Sequence, residues 1–241
     1  MNTRDNDKPL AGRVTLVTGA SRGIGYAAAL ELAKAGSHVI ATARTQGGLE
    51  ELDDAIRGVG GETTLVPMDL KRPDGIDQLG QAVFDRWGRL DGLLANAGVL
   101  GELATVPHIG VKKFEEAVAV NFTANYRLIR SFDPLLRESP SGRAVFVGSK
   151  GAQSRKAFWG AYAATKSALE ALVMCWTEET EILPLNINVV YPGPTRTRMR
   201  GVAMPGEDPD SLPSPGEKAK QIIPLLGPNW NGHGKIVDLR D

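Results

Sequence analysis

The chain is poor in cysteine: Cys175 is the single one among 241 residues, so no internal disulfide can form and a reducing compartment is expected. Cys175 itself sits in the apolar run ALVMCW, which reads as a buried structural thiol. Net charge is lacking too. With 28 basic against 28 acidic residues the formal charge is +0, which leaves no electrostatic footprint for nucleic acid or an anionic membrane. No apolar run approaches the roughly 20 residues of a membrane span, and the polar start MNTRDNDKPLAG has no signal-peptide core. The expectation is a soluble, cytoplasmic protein that takes a small-molecule ligand. Low-complexity tracts and internal repeats are missing as well, and no metal site is expected.

What is present is a regular alternation. RVTLVTG is a short β-branched run closed by glycine, and IGYAAALELAKAG follows it as an alanine- and leucine-rich helix ending at Gly36. HVIATA, TTLVPM, LDGLLANAG, RAVFVGS, LNINVVYPG and GKIVDLRD read as six further strands. Helices fall between them, including a long helix from about Val111 to Glu138. Strands separated by helices imply right-handed crossovers, hence an α/β fold: one Rossmann-like, doubly wound parallel sheet with helices on both faces. The divisions expected are a polar tail over 1–11, a single nucleotide-binding domain over 12–241, and a Pro- and Arg-rich loop at about 192–216.

At the end of the first strand, TGASRGIG carries Gly19, Gly23 and Gly25, with a helix starting near Ile24. Such glycines allow a tight turn and close backbone approach, while the helix N-terminus presents unpaired N–H groups to a pyrophosphate. After the second strand the chain reads ATART, so Ala43 and Arg44 stand where an acid would bind the ribose hydroxyls of NAD. With Arg22 in the glycine turn, that favours NADP(H) over NAD(H), which remains possible; two solvated surface arginines are the alternative. In GAYAATKSAL, Tyr162 and Lys166 are helical neighbours, and on spacing alone they pack and snorkel like any such pair.

Taken in order, TGASRGIG, Asp69 in PMDL, NAG at Asn96 to Gly98, Asn121 in VNFTAN, Ser149 in VGSKGA, Tyr162 to Lys166 and PGPTRT from Pro192 resemble the short-chain dehydrogenase/reductase family. The resemblance runs from about Gly12 to the last strand. It implies Tyr162 as acid/base, Lys166 as its activator and ribose ligand, and Ser149 as the hydroxyl that orients a carbonyl. A phenol working near neutrality would then need its pKa lowered by about two to three units. Asn121 would mark a helix kink whose freed carbonyl holds a water. By the same resemblance the cofactor would lie against Gly19, Ser21, Arg22, Gly23, Ile24, Gly25, Arg44, Asp69, Leu70, Asn96, Ala97, Gly98, Tyr162, Lys166, Pro192, Gly193, Thr195 and Thr197. Asp69 would accept from the adenine amine, a helix N-cap being its alternative.

The implied activity is hydride transfer between NADP(H) and a carbonyl or secondary alcohol. 3-Oxoacyl carrier-protein or CoA reduction is the familiar special case, and Arg196, Arg198 and Arg200 are candidates for meeting an anionic carrier, a solvated charged loop being the alternative. A non-catalytic dinucleotide-binding regulator is the alternative from another class. A homodimer or homotetramer is implied, although the ending VDLRD lacks the glycine-rich tail common in the family. Two further departures are Ala95, where many members have asparagine, and Gly148, where many have a second serine.

Overall fold

The computed structural model describes residues 8–240. Strands and helices follow in the order β1 (Val14–Thr18), α1 (Gly23–Lys34), β2 (His38–Ala43), α2 (Gln46–Gly58), β3 (Thr63–Pro67), α3 (Pro73–Trp87), β4 (Gly92–Ala95), α4 (Val111–Val118) and α5 (Ala124–Arg137). The second half adds β5 (Gly142–Val147), α6 (Lys150–Gln153), α7 (Gly160–Glu179), β6 (Leu185–Tyr191), α8 (Arg198–Ala203), α9 (Pro215–Ile222) and β7 (Lys235–Asp238). All strands pair in parallel, in the spatial order β3-β2-β1-β4-β5-β6-β7. The order reverses between β1 and β4, and in such sheets the crevice beyond the C-terminal ends of those strands is where ligands bind.

Successive strand residues point to opposite faces, and both faces are apolar, as a parallel sheet covered on two sides requires. Leu16, Leu93 and Phe146 face α3, α5 and α7, packing with Ile76, Phe132 and Trp176. Their neighbours Val17, Leu94 and Val145 face the other layer, with Leu32 of α1, Leu52 of α2 and Ile222 of α9. The doubly wound expectation therefore holds.

The kink expected at Asn121 is a π-turn over Ala119–Thr123, which divides the long helix into α4 and α5. Three details differ from the reading of the sequence. Residues 215–222 form a helix with a capping box, Ser214 Oγ accepting from the Glu217 N–H and the Glu217 carboxylate accepting from the Ser214 N–H. Leu10, assigned to the polar tail, is buried against the α1 layer, and its N–H donates to the Ala35 carbonyl; the remainder of that tail, 1–7, lies outside the described residues. Cys175 is exposed rather than buried. Val173, Trp176 and Thr177 carry the inward face of α7, and Cys175 falls with Ala171 and Glu178 on the outward one.

At the N-terminal edge of the sheet, one buried carboxylate joins several segments. Asp91 Oδ2 accepts from the Val14 N–H at 2.9 Å, and its Oδ1 accepts from Ser139 Oγ at 2.6 Å and Arg89 Nε at 3.1 Å. Arg13, also buried, donates to the Asp91 carbonyl at 2.7 Å. Asp91→Ala would leave the Val14, Ser139 and Arg89 donors without that acceptor, so a loss of about 3–5 kcal/mol in urea unfolding is expected. A loss under about 1 kcal/mol would show that water replaces the carboxylate there.

Candidate active site

β1 ends at Thr18, and the chain turns at once through Gly19 into α1. Thr18 Oγ1 accepts from the N–H groups of Asn96 at 3.1 Å and Ala97 at 3.0 Å, and Asn96 Nδ2 returns a bond to the Thr18 carbonyl at 2.9 Å. The end of β4 is thus bolted to the glycine turn. Gly25 lies under this joint: a Cβ there would fall 2.3 Å from the Gly19 oxygen and 2.4 Å from Asn96 Nδ2. No side chain caps α1, whose N-cap is Arg22, so its first-turn N–H groups are left to an anion.

Above this joint opens a cavity of about 990 Å³ at the point where the strand order reverses. Gly19, Ser21, Arg22, Gly23, Ile24, Arg44, Asp69, Leu70, Asn96, Ala97, Gly98, Ser149, Tyr162, Lys166, Pro192, Gly193, Thr195 and Thr197 all border it. Gly25 and Asn121 do not, the first lying beneath the turn and the second fully buried behind the wall. Asp69 is not a helix cap: α3 begins after Arg72, and Asp69 Oδ1 accepts from the Lys71 N–H at 3.0 Å. Arg44 stands 3.8 Å from Glu116, which is also 3.9 Å from Lys71.

The π-turn places Asn121 under the cavity wall. Its Oδ1 accepts from the Val99 N–H at 2.8 Å, and its Nδ2 donates to the Val99 carbonyl at 2.9 Å and to Thr165 Oγ1 at 3.0 Å. That side chain is consumed in joining the chain after β4 to α7. The Asn121 backbone carbonyl lies within the π-turn and accepts from Asn125 Nδ2 at 2.9 Å.

Tyr162 and Lys166 lie one turn apart on α7. The run of alanines around them lets the helix sit close to β5, and Lys166 Nζ donates to the Val147 carbonyl at 2.7 Å. Burial lowers the Lys166 pKa from 10.5 to about 8. The Tyr162 phenol moves the opposite way from the expectation: burial raises it, and a hydrogen bond with Ser149 pulls it back only in part. The Trp159 ring meets the phenol edge-on at 5.7 Å.

The mouth is formed by the segment after β6. Thr197 accepts from the Arg200 N–H at 3.2 Å and starts α8. Of the three arginines noted there, Arg196 is paired with Asp210 at 2.6 Å and Arg200 with both oxygens of Glu207 at 2.5 Å. Arg198 carries no ion pair among the described residues. Lining residues missed by sequence reasoning include Val99, Leu100, Lys156, Trp159, Met199 and Val202. Trp159 directly precedes α7 and so had a positional signal; the others lie in loops or short pieces with no pattern.

The Lys166 burial has a measurable consequence. Below pH 8 its ammonium is charged in both states, and the folded state carries the full desolvation cost. Between about 8 and 10.5 the folded protein has released the proton while the unfolded chain still binds it, so stability rises with pH. Relative to Lys166→Met, the parent should gain about 2–3 kcal/mol across that window in urea unfolding. A pH-independent difference between the two would show a lysine of ordinary pKa.

A family model of the short chain dehydrogenases matches residues 13–208. The uncharacterized oxidoreductase YciK of Escherichia coli is 35% identical over 224 residues, which cover 90% of this chain and 87% of that protein. A fatty acyl-CoA reductase of Acinetobacter baylyi is 34% identical over 199 residues, 81% of this chain and 66% of that protein. Among solved structures, a short chain dehydrogenase of Shigella flexneri complexed with NADP superposes with a TM-score of 0.93 at 33% identity, covering 98% of this chain and 100% of that one. The chain belongs to the short chain dehydrogenase family and is an oxidoreductase.

Proposed function

We propose that the protein interconverts a carbonyl compound and the corresponding alcohol with NADP(H). The observation that carries this reading is the convergence of Tyr162, Lys166 and Ser149 with the glycine turn on one cavity. The cradle fits a dinucleotide: Gly25 leaves no room for a side chain, the first turn of α1 lacks a cap, and Arg22 and Arg44 border the cavity where Ala43 replaces an acid. When bound, NADPH supplies the hydride. The Shigella relative with NADP in its crystal structure supports the phosphorylated cofactor.

In the reductive direction Tyr162 gives its proton to the carbonyl oxygen. Its raised pKa keeps the phenol protonated at neutral pH, as a donor must be. Ser149, already bonded to that phenol, donates to the same developing oxyanion. Lys166 brings a positive charge beside the ribose and the phenol, which eases removal of the Tyr162 proton in the oxidative direction. The Asn121 carbonyl holds water on the path that returns a proton. A non-catalytic regulator is disfavoured because all four residues are retained.

A narrower substrate reading, a 3-oxoacyl thioester on carrier protein or CoA, draws support from Arg198 at the mouth and from the fatty acyl-CoA reductase relative. A homodimer or homotetramer completes the proposal. Its check is light scattering, where a monomer mass would refute it.

Tyr162→Phe should lower turnover at least about 100-fold while changing the NADPH dissociation constant less than about threefold, since a lost proton donor weakens the transition state rather than cofactor binding. Near-normal turnover would refute the role. Arg44→Ala should weaken NADPH binding about tenfold and leave NADH nearly unaffected. Equal affinity of the parent for the two cofactors would make Arg44 a surface charge.

A further inference from the structure

Beside the reacting groups lies a polar cluster that the proposed chemistry does not use. Tyr191, the last residue of β6, is buried, and its hydroxyl donates to the carboxylate of Glu170. Gln153 Nε2 donates to the Tyr191 oxygen at 2.7 Å and to Glu170 Oε1 at 3.1 Å. Each member sits next to a different part of the site. Glu170 is on α7, one turn after Lys166 and two after Tyr162. Gln153 ends α6, the short helix that begins directly after Ser149. Tyr191 directly precedes Pro192 and Gly193 at the mouth.

The glycine at 148 completes the arrangement. A Cβ there would stand 2.9 Å from Tyr191 Cε1, 3.1 Å from its Cδ1 and 2.7 Å from Val189 Cγ1. Gly148 is therefore the space that the Tyr191 ring occupies, and the residue after it is Ser149. The ring presses on the backbone that carries the serine, while its hydroxyl is held from the helix that carries the tyrosine.

We propose that Tyr191, Glu170 and Gln153 are positioning residues that fix Ser149 relative to Tyr162. The inference rests on the reading of Ser149 and Tyr162 as the reacting pair. Burial and the adjacent carboxylate both raise the Tyr191 pKa, so its phenol remains a donor to Glu170. Asp238 raises it further, and Gln153 acts in the opposite direction. Because the Ser149 bond lowers the Tyr162 pKa, loosening the turn lets that pKa rise.

The test compares Tyr191→Phe, Glu170→Val and Glu170→Gln with the parent. The Tyr162 ionisation is read without turnover, as the ultraviolet phenolate signal lost on Tyr162→Phe in each background. Tyr191→Phe and Glu170→Val should move that titration up by about half a unit to one unit. Glu170→Gln, whose amide oxygen still accepts from the phenol, should restore the parent value. With an aldehyde that the parent reduces, the first two should lower kcat about 10- to 100-fold and leave the NADPH dissociation constant within about threefold. Should Tyr191→Phe fail to fold, Gln153→Met carries the same expectation. Parent-like titration and kcat in variants whose melting temperature alone falls would overturn the proposal. A parent without turnover but with the shifted titration would refute the functional reading and leave the positioning intact.

Discussion

The site depends on one buried ammonium. Lys166 is 4% exposed, and it donates its hydrogen bond to an uncharged acceptor, the Val147 carbonyl, rather than to a carboxylate. Desolvating a cation against a neutral acceptor is unfavourable, and the lowered pKa records it. A fold retains such a group when the surroundings hold it there. Here α7 is packed on the sheet by Leu169, Val173 and Trp176, the last against Phe146 of β5, and Thr165 ties the helix to Asn121.

The neighbouring features follow from that placement. Close approach of α7 to the strand ends is helped by small residues on the helix and by Gly98, where a Cβ would stand 3.2 Å from Asn121 Oδ1 and 3.5 Å from Lys166 Nζ. The π-turn in turn lets Asn121 face α7 and the Val99 backbone at once, which a continuous helix through 111–138 would not allow at that register. The same packing raises the Tyr162 pKa and lowers that of Lys166, so acid and base strengths are both set by burial. Under the proposed mechanism, the positive charge of a bound oxidised nicotinamide would pull the phenol back down.

Much of this was legible in the chain. The alternation of β-branched runs with alanine- and leucine-rich helices yielded the sheet and its two covering layers, because period and turn residues are local properties. The ordered motifs located the cavity wall, since strand ends in a doubly wound sheet converge by topology alone. Features that depend on distant partners were not legible. The acids of GEDPD stand close to Arg196 and Arg200 in the chain, but which acid meets which arginine, Asp210 and Glu207 respectively, depends on how the loop folds back. The outward position of Cys175 is a matter of helical phase inside an apolar run. The α9 helix carried a readable signal, Ser214 followed by Glu217 in SPGE, which the density of proline and glycine obscured.

Lys166 as a buried, weakened cation can be read by titrating the lysine ε-carbon resonances, with Lys166 assigned by its loss in Lys166→Met. A midpoint near 8, well separated from the remaining lysines and moved by NADP+, is the predicted result. A midpoint at the ordinary 10.5, unchanged by NADP+, would contradict the account.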